Sequence, residues 1–330
     1  MSSTSLLHTT KAHTFKVSVV GCGNVGATMA YTLLLDGSTT DLALVDINKK
    51  KAEALLLDLE HSLSLTSYTH LTADDKPAAV ANSNLIIVTA GKRQEEGESR
   101  LDLTEANKKI FDSLIPALVK AAPDALILVV TNPVDVLTHH ALTLSGLPAG
   151  RVFGSGTLLD TVRFQFHLSQ RLKVHPRSIN AFILGEHGDS SFPVISSANI
   201  SGKPLTSFPL VTPQLIDECF EETRSAAYRI IHDMGYTCYS IATATRTIVR
   251  AIAQDTHEVL MLSTLLDNYY GESDICLSVP CVIGAEGVYE TIEVPLNEEE
   301  KKKLAESATI LRQLAQPEAD ATAPGFSPTT

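Results

Sequence analysis

Three side chains in this sequence have the most chemistry to offer. His187 stands in Gly185-Glu186-His187-Gly188-Asp189-Ser190, directly after the apolar run Ala181–Leu184. Glycines around it at a strand end leave its ring accessible, and an unperturbed pKa of about 6.5 suits it to give and take a proton. Asp160-Thr161-Val162-Arg163 places an acid and a base three residues apart on a helical stretch, so they share a face. One reading is a surface salt bridge. The other divides the work: Arg163 grips a carboxylate through two parallel N–H bonds, and Asp160 orients His187 and steadies its cation. Asn132, in Thr131-Asn132-Pro133-Val134-Asp135, is placed either to touch a cofactor ring and a substrate oxygen or to cap a helix ahead of Pro133. The polar loop Gly91–Arg100 carries two glycines after a strand end, as a closing lid or a solvated loop. Thr237, in Gly235-Tyr236-Thr237, lines a cavity or caps a helix.

A second group of residues points to a dinucleotide. Gly21-Cys22-Gly23-Asn24-Val25-Gly26 is G-x-G-x-x-G, and Asp46 follows twenty residues after Gly26. Alone the pattern is weak. Here it follows a strand and opens a helix, the context that gives it meaning. Gly21 permits the tight turn, Gly23 a close approach to pyrophosphate, and Gly26 close helix packing. The helix start offers N–H groups to the phosphates. Asp46 is placed for the ribose hydroxyls and would repel a 2′-phosphate, favouring NAD over NADP, or it caps the next helix. A nicotinamide beside a histidine and an arginine implies hydride transfer to a ketone carbon, with a proton delivered to its oxygen.

These groups need a scaffold. Strands are predicted at Lys16–Val20, Leu42–Asp46, Leu85–Thr89 and Ala125–Thr131. Helices are predicted near residues 24–35, 49–62 and 103–121. Short apolar strands alternating with amphipathic helices specify βαβ units and a parallel sheet. Beyond Gly154 the pattern changes to a helix at 158–172, strands around 181–184 and 194–200 with a Ser201-Gly202-Lys203 turn, and helices near 213–234 and 240–255. Strands then lie within 275–292 and a last helix starts near Asn297. The expected architecture is α/β: a Rossmann-type doubly wound parallel sheet followed by a mixed α+β substrate domain. The expected divisions are an arm at 1–15, a cofactor domain at 16–154, a substrate domain at 155–315 and a disordered tail at 316–330.

Composition narrows the function further. Acidic residues outnumber basic ones, 38 to 26, for a net charge of -12, which argues against a nucleic-acid partner. An anionic substrate then needs local positive charge. Five cysteines with no paired spacing and no zinc-type cluster suit a reducing compartment without a metal site. The first fifteen residues have no apolar signal core and no apolar run approaches membrane-spanning length. A cytoplasmic protein is expected.

Taken in order, Gly21–Gly26, Asp46, Gly91–Arg100, Thr131–Asp135, Asp160–Arg163, Gly185–Ser190 and Gly235–Thr237 resemble the L-lactate/malate dehydrogenase family over about residues 16–315. Ser278–Gly284 resembles a late strand of that family. The resemblance implies that His187 is the acid/base, Asp160 its partner, and Arg163 the carboxylate-binding residue. It implies that Arg100 polarises the carbonyl as its loop closes, that Asn132 bonds near the reacting oxygen, and that Thr237 lines the pocket. The expected surroundings of NAD are Gly21, Gly23, Asn24, Val25, Gly26, Asp46, Ala90, Gly91, Arg93, Val130, Asn132 and Ser155. Homodimers or homotetramers are implied.

Substrate choice rests on the residue six before the loop arginine. Malate-type members resemble one another in carrying Arg there, for the second carboxylate of oxaloacetate. This chain has Gln94, similar to lactate types, with Glu95, Glu96 and Glu98 nearby. That implies pyruvate and L-lactate. The alternatives are malate, a broader range of L-2-hydroxy acids, or an inactive NAD-binding structural protein. Arg93 would enter only through a one-residue slip, against which Gly97 and Arg100 keep register. Tyr239 stands where many lactate types carry Trp. Gln165 and Asn180 replace the Arg and His with which several bacterial members bind fructose 1,6-bisphosphate, so no such activation is expected.

Overall fold

The computed structural model describes residues 14–66, 68–92 and 100–315. Most of the expected arm (1–15) and all of the expected tail (316–330) therefore lie outside the described residues. The first half contains β1 (Lys16–Val20), α1 (Asn24–Asp36), β2 (Asp41–Val45), α2 (Lys49–Glu60), β3 (His70–Asp74), β4 (Leu85–Val88), α3 (Arg100–Ala121), β5 (Leu126–Val129), α4 (Val134–Ser145) and β6 (Val152–Gly154). The six strands are parallel in the order β3-β2-β1-β4-β5-β6, the Rossmann arrangement.

The apolar strands read as continuous runs because they are covered on both faces. Alternation divides their residues between two cores. Val17, Val19, Leu85, Ile87 and Leu128 pack with Met29 and Leu33 of α1. Val20, Ile86, Val88, Ile127 and Val129 pack with Phe111, Ile115 and Leu118 of α3. Strand β3 carries little sequence signal because it is a sheet edge whose one fully buried apolar residue is Leu71.

The second half contains α5 (Leu158–Leu172), β7 (Ile179–Leu184), β8 (Phe192–Ile200), β9 (Lys203–Pro204), α6 (Pro213–Met234), α7 (Tyr239–Ala253), β10 (Glu258–Leu265), β11 (Cys276–Gly284), β12 (Gly287–Thr291) and α8 (Glu298–Ala315). Strands β7–β9 make a separate antiparallel sheet. The expected turn joins β8 to β9, with Ser201 and Gly202 both at positive φ, as a two-residue hairpin loop requires. Strands β10–β12 extend the first sheet, joined to its β6 edge where Ser263 pairs with Gly154. One nine-stranded sheet thus carries residues from both halves to the site.

All five cysteines are free and buried. Among the described residues no helix is long and apolar enough to cross a membrane, and no cluster of His, Cys, Asp or Glu could hold a metal.

Candidate active site

The glycine motif forms the turn between β1 and α1. Gly21 has φ of +102°, and a Cβ there would meet Ala90 N at 2.6 Å. A Cβ on Gly26 would run into the Gly21 carbonyl oxygen and lie 2.8 Å from Thr89 Oγ1. Gly23, by contrast, would meet nothing within 4 Å. Its smallness serves no contact within the protein. It leaves the start of α1 open, where no side chain caps the helix and no acid occupies the first turn. That is the cradle an anionic pyrophosphate needs. Asp46 is not a helix cap, a role taken by Asn48. Its carboxylate accepts from Cys22 N at 2.7 Å and Asn48 N at 2.8 Å, fixing it beside the glycine turn with lone pairs to spare.

We expect Gly26→Ala to cost about 1–3 kcal/mol of stability, because the clash is with rigid backbone. Thermal unfolding together with NADH titration would show it. A variant as stable as the parent would mean that the turn yields freely.

Strand ends β4 and β5 bring the next group in. Thr131 Oγ1 donates to Ala90 O at 2.9 Å. Asn107, fully buried on α3, accepts from Lys92 N at 2.6 Å and donates to Asn132 O at 2.8 Å. Asn132 caps no helix: α4 begins at Val134, with Pro133 at its N-cap after a cis peptide bond. Asn132 faces the central cavity instead. The sequence reading missed Asn107, since an asparagine in mid-helix carries no local signal.

Helix α5 and strand β7 set the acid/base pair. Two threonine hydroxyls staple them: Thr157 Oγ1 donates to Ile183 O, and Thr161 Oγ1 accepts from Ile183 N at 3.0 Å. That register places His187 Nδ1 2.6 Å from Asp160 Oδ2. Asp160 Oδ1 lies 3.5 Å from Arg163 Nη1. The buried Arg163 Nη2 has no hydrogen-bond partner among the described residues. Asp160 thus meets Arg163 through one carboxylate oxygen and His187 through the other.

Burial works against a charged His187. The Asp160 charge and hydrogen bond, with Asp135 beyond, outweigh it, and the imidazole is held above its ordinary pKa. Burial likewise pushes the Asp160 carboxyl upward, and His187 and Arg163 bring it below its ordinary value. Burial lowers the Arg163 pKa, against the pull of Asp160.

A cavity of about 460 Å³ joins these pieces. Its lining includes Val25, Val130, Asn132 and Ser155 together with Asp160, Arg163, His187 and Thr237. Gly21, Gly26 and Asp46 sit at the glycine turn rather than on its wall. Gln94 and Arg93 lie outside the described residues. Arg100 opens α3, and its side chain lies outside them too. Phe220, Thr223, Ala227 and Ile231 of α6 form a wall that the sequence reading did not assign. Helical spacing puts these on one side of α6, but not facing any particular cavity.

The lactate/malate dehydrogenase NAD-binding domain model matches residues 15–154, and the family's α/β C-terminal domain model matches residues 157–320. The chain belongs to the lactate/malate dehydrogenase family. An L-lactate dehydrogenase of Synechococcus sp. is 45% identical over 300 residues, covering 91% of this chain and 98% of the relative. One from Acetivibrio thermocellus is 42% identical over 311 residues, covering 91% and 96%. The crystal structure of a minor L-lactate dehydrogenase from Enterococcus mundtii superposes with a TM-score of 0.89 at 34% identity, covering 92% of this chain and 98% of that one. A lactate dehydrogenase from a deep-sea metagenome gives 0.88 at 36%, covering 91% and 98%. The matched N-terminal domain is the family's NAD-binding domain and the cofactor is NAD; the open helix start at Gly23, with the Asp46 carboxylate beside it, fits that molecule.

Proposed function

We propose that this chain is an NAD-dependent L-lactate dehydrogenase, interconverting pyruvate, NADH and a proton with (S)-lactate and NAD. The observation that carries this is Arg163, buried in the cavity with Nη2 unpartnered and Nη1 held by the residue that also holds His187. Relatives at 45% and 42% identity that carry this name support it.

In this reading residues 16–154 hold the cofactor and 155–315 the substrate. The glycine turn, Asp46, Val25, Val130 and Ser155 seat NAD. When bound, it supplies or accepts the hydride at the substrate carbon. Arg163 fixes the substrate carboxylate by two parallel N–H bonds and so sets the distance from carbonyl to imidazole. Asp160 accepts a hydrogen bond from His187 Nδ1–H, which fixes the ring and leaves Nε2 to exchange a proton with the substrate oxygen. Arg100 adds a second cation at that oxygen, and Asn132 and Thr237 bound the reacting end. Arg163 and protonated His187 supply the local positive charge that a chain of net charge -12 must bring to an anion.

Gln94 selects pyruvate over a dianion. Steady-state rates should therefore give a larger kcat/KM for pyruvate than for oxaloacetate, and Gln94→Arg should move the ratio toward oxaloacetate by about tenfold or more, the worth of one charge-assisted bond. A larger kcat/KM for oxaloacetate in the parent would overturn the assignment.

The reduction direction needs His187 protonated. Its pKa lies above the ordinary histidine value, so pyruvate affinity should be full below that pKa and lost as pH rises through it. The apparent KM should climb about tenfold per pH unit beyond the midpoint, as for a one-proton requirement. A flat profile would remove His187 as the acid.

Assembly as a homodimer or homotetramer fits the exposed apolar Val162 and Phe166 on α5, beside the buried Arg163. Five free thiols fit a cytoplasmic setting.

A further inference from the structure

Asp160 is one of two carboxylates that hold His187. Asp135, in the first turn of α4, is only 2% exposed. Its Oδ2 accepts the His187 backbone N–H at 2.7 Å, and its Oδ1 accepts from Ser278 Oγ at 3.3 Å. Ser278, on β11, is itself clamped to the loop that carries the histidine. Gly185 N donates to Ser278 O and Ser278 N to Gly185 O, each at 3.1 Å. These bonds close a ring from Gly185 through Ser278 and Asp135 to His187, drawn from β7, β11 and α4.

We infer that Asp135 is a positioning residue for the reaction: it fixes the His187 backbone while its negative charge favours the protonated imidazole. This rests on His187 being the acid of the proposed reaction. The charged groups facing His187 are Asp160 and Arg163 from α5 and Asp135 from α4. Those facing Asp135 are His187 and Glu186, with the Cys276 thiol on β11. Burial raises the Asp135 carboxyl to about 6, against the Ser263 hydroxyl and then the His187 N–H and charge, which lower it. It is therefore ionised over most of the neutral range and withdraws support from His187 only in acid.

The test is Asp135→Asn in the full chain. Asparagine keeps an acceptor for the His187 N–H and places its amide against Ser278 Oγ, which can accept. Only the charge is lost. The midpoint of the pH profile of kcat/KM for pyruvate should move down by about 1 pH unit, at the low end for an opposite charge within a few ångström. NADH titration reports the fold separately. A purely structural role would lower activity at every pH and leave the midpoint in place. Ser278→Ala, which keeps the carboxylate but removes a donor that favours its charged form, should shift the midpoint the same way by less. It answers the question if Asp135→Asn does not fold. Unmoved midpoints in NADH-binding variants would overturn the role of Asp135. A parent profile with no histidine limb would instead overturn the acid assignment beneath it.

Discussion

Replacing His187 by asparagine is expected to lower kcat for pyruvate reduction by about 10²–10⁴-fold, the contribution of a positioned general acid. NADH binding should be nearly unchanged. The reason is geometric. The imidazole is held at Nδ1 by Asp160 at 2.6 Å and at its backbone N–H by Asp135 at 2.7 Å. Asparagine can still donate to Asp160 and still present its own N–H to Asp135. Neither carboxylate is orphaned, so the loop should keep its shape. What asparagine lacks is a second ring nitrogen that titrates near neutrality. Stopped-flow single-turnover absorbance at the NADH band would isolate the chemical step. A loss of less than tenfold there would mean that another group delivers the proton.

Arg163→Lys should be nearly as damaging, through a different parameter. The guanidinium serves two directions at once. Nη1 lies 3.5 Å from Asp160 Oδ1, and the buried Nη2 has no hydrogen-bond partner among the described residues. Lysine keeps the charge but not the fork. Its ammonium can stay with Asp160 or meet a substrate carboxylate, without the paired geometry of either. Two charge-assisted bonds at about 1.5–3 kcal/mol each place the loss in kcat/KM at about 10²–10⁴-fold. Most should appear as a higher KM, since the substrate carboxylate keeps its charge throughout the reaction and is bound in ground and transition states alike. A KM within twofold of the parent would show that the substrate carboxylate sits elsewhere. The paired experiment is informative because the two variants should separate. His187→Asn should lower kcat and also raise KM, since the cation that favours pyruvate is lost with the acid, whereas Arg163→Lys should act mainly on KM.

The two residues differ in how they can be recognised. His187 is marked locally, by glycines and a strand end. Arg163 and Asp160 are marked only as a helical i, i+3 pair, which is as common in a surface ion pair. Burial distinguishes the cases: the side chains of Arg163 and Asp160 are 12% and 14% exposed.

Local backbone rules account for what was legible in the sequence. The positive φ of Gly21 and the crowding at Gly26 permit no side chain, so the glycine turn shows at the level of residue type. The period of 3.6 shows helix α5 at Leu158–Leu172, and a two-residue turn with Gly202 shows the β8–β9 hairpin. Such signals lie within a few residues of what they specify. The sequence by itself thus determined the glycine turn, the alternation of apolar strand and helix in the first half, and the candidates His187, Asp160 and Arg163. The tertiary structure decided how they are used. Asp160 and His187 are 27 residues apart, and their contact depends on the register that two threonine hydroxyls set between α5 and β7. Asp135 reaches Ser278 across 143 residues, and β10 joins the sheet at Gly154 through one pair. No spacing rule spans those distances. The partners meet because burying apolar strand faces fixes the sheet order, and the sheet order then brings distant polar groups into one cavity.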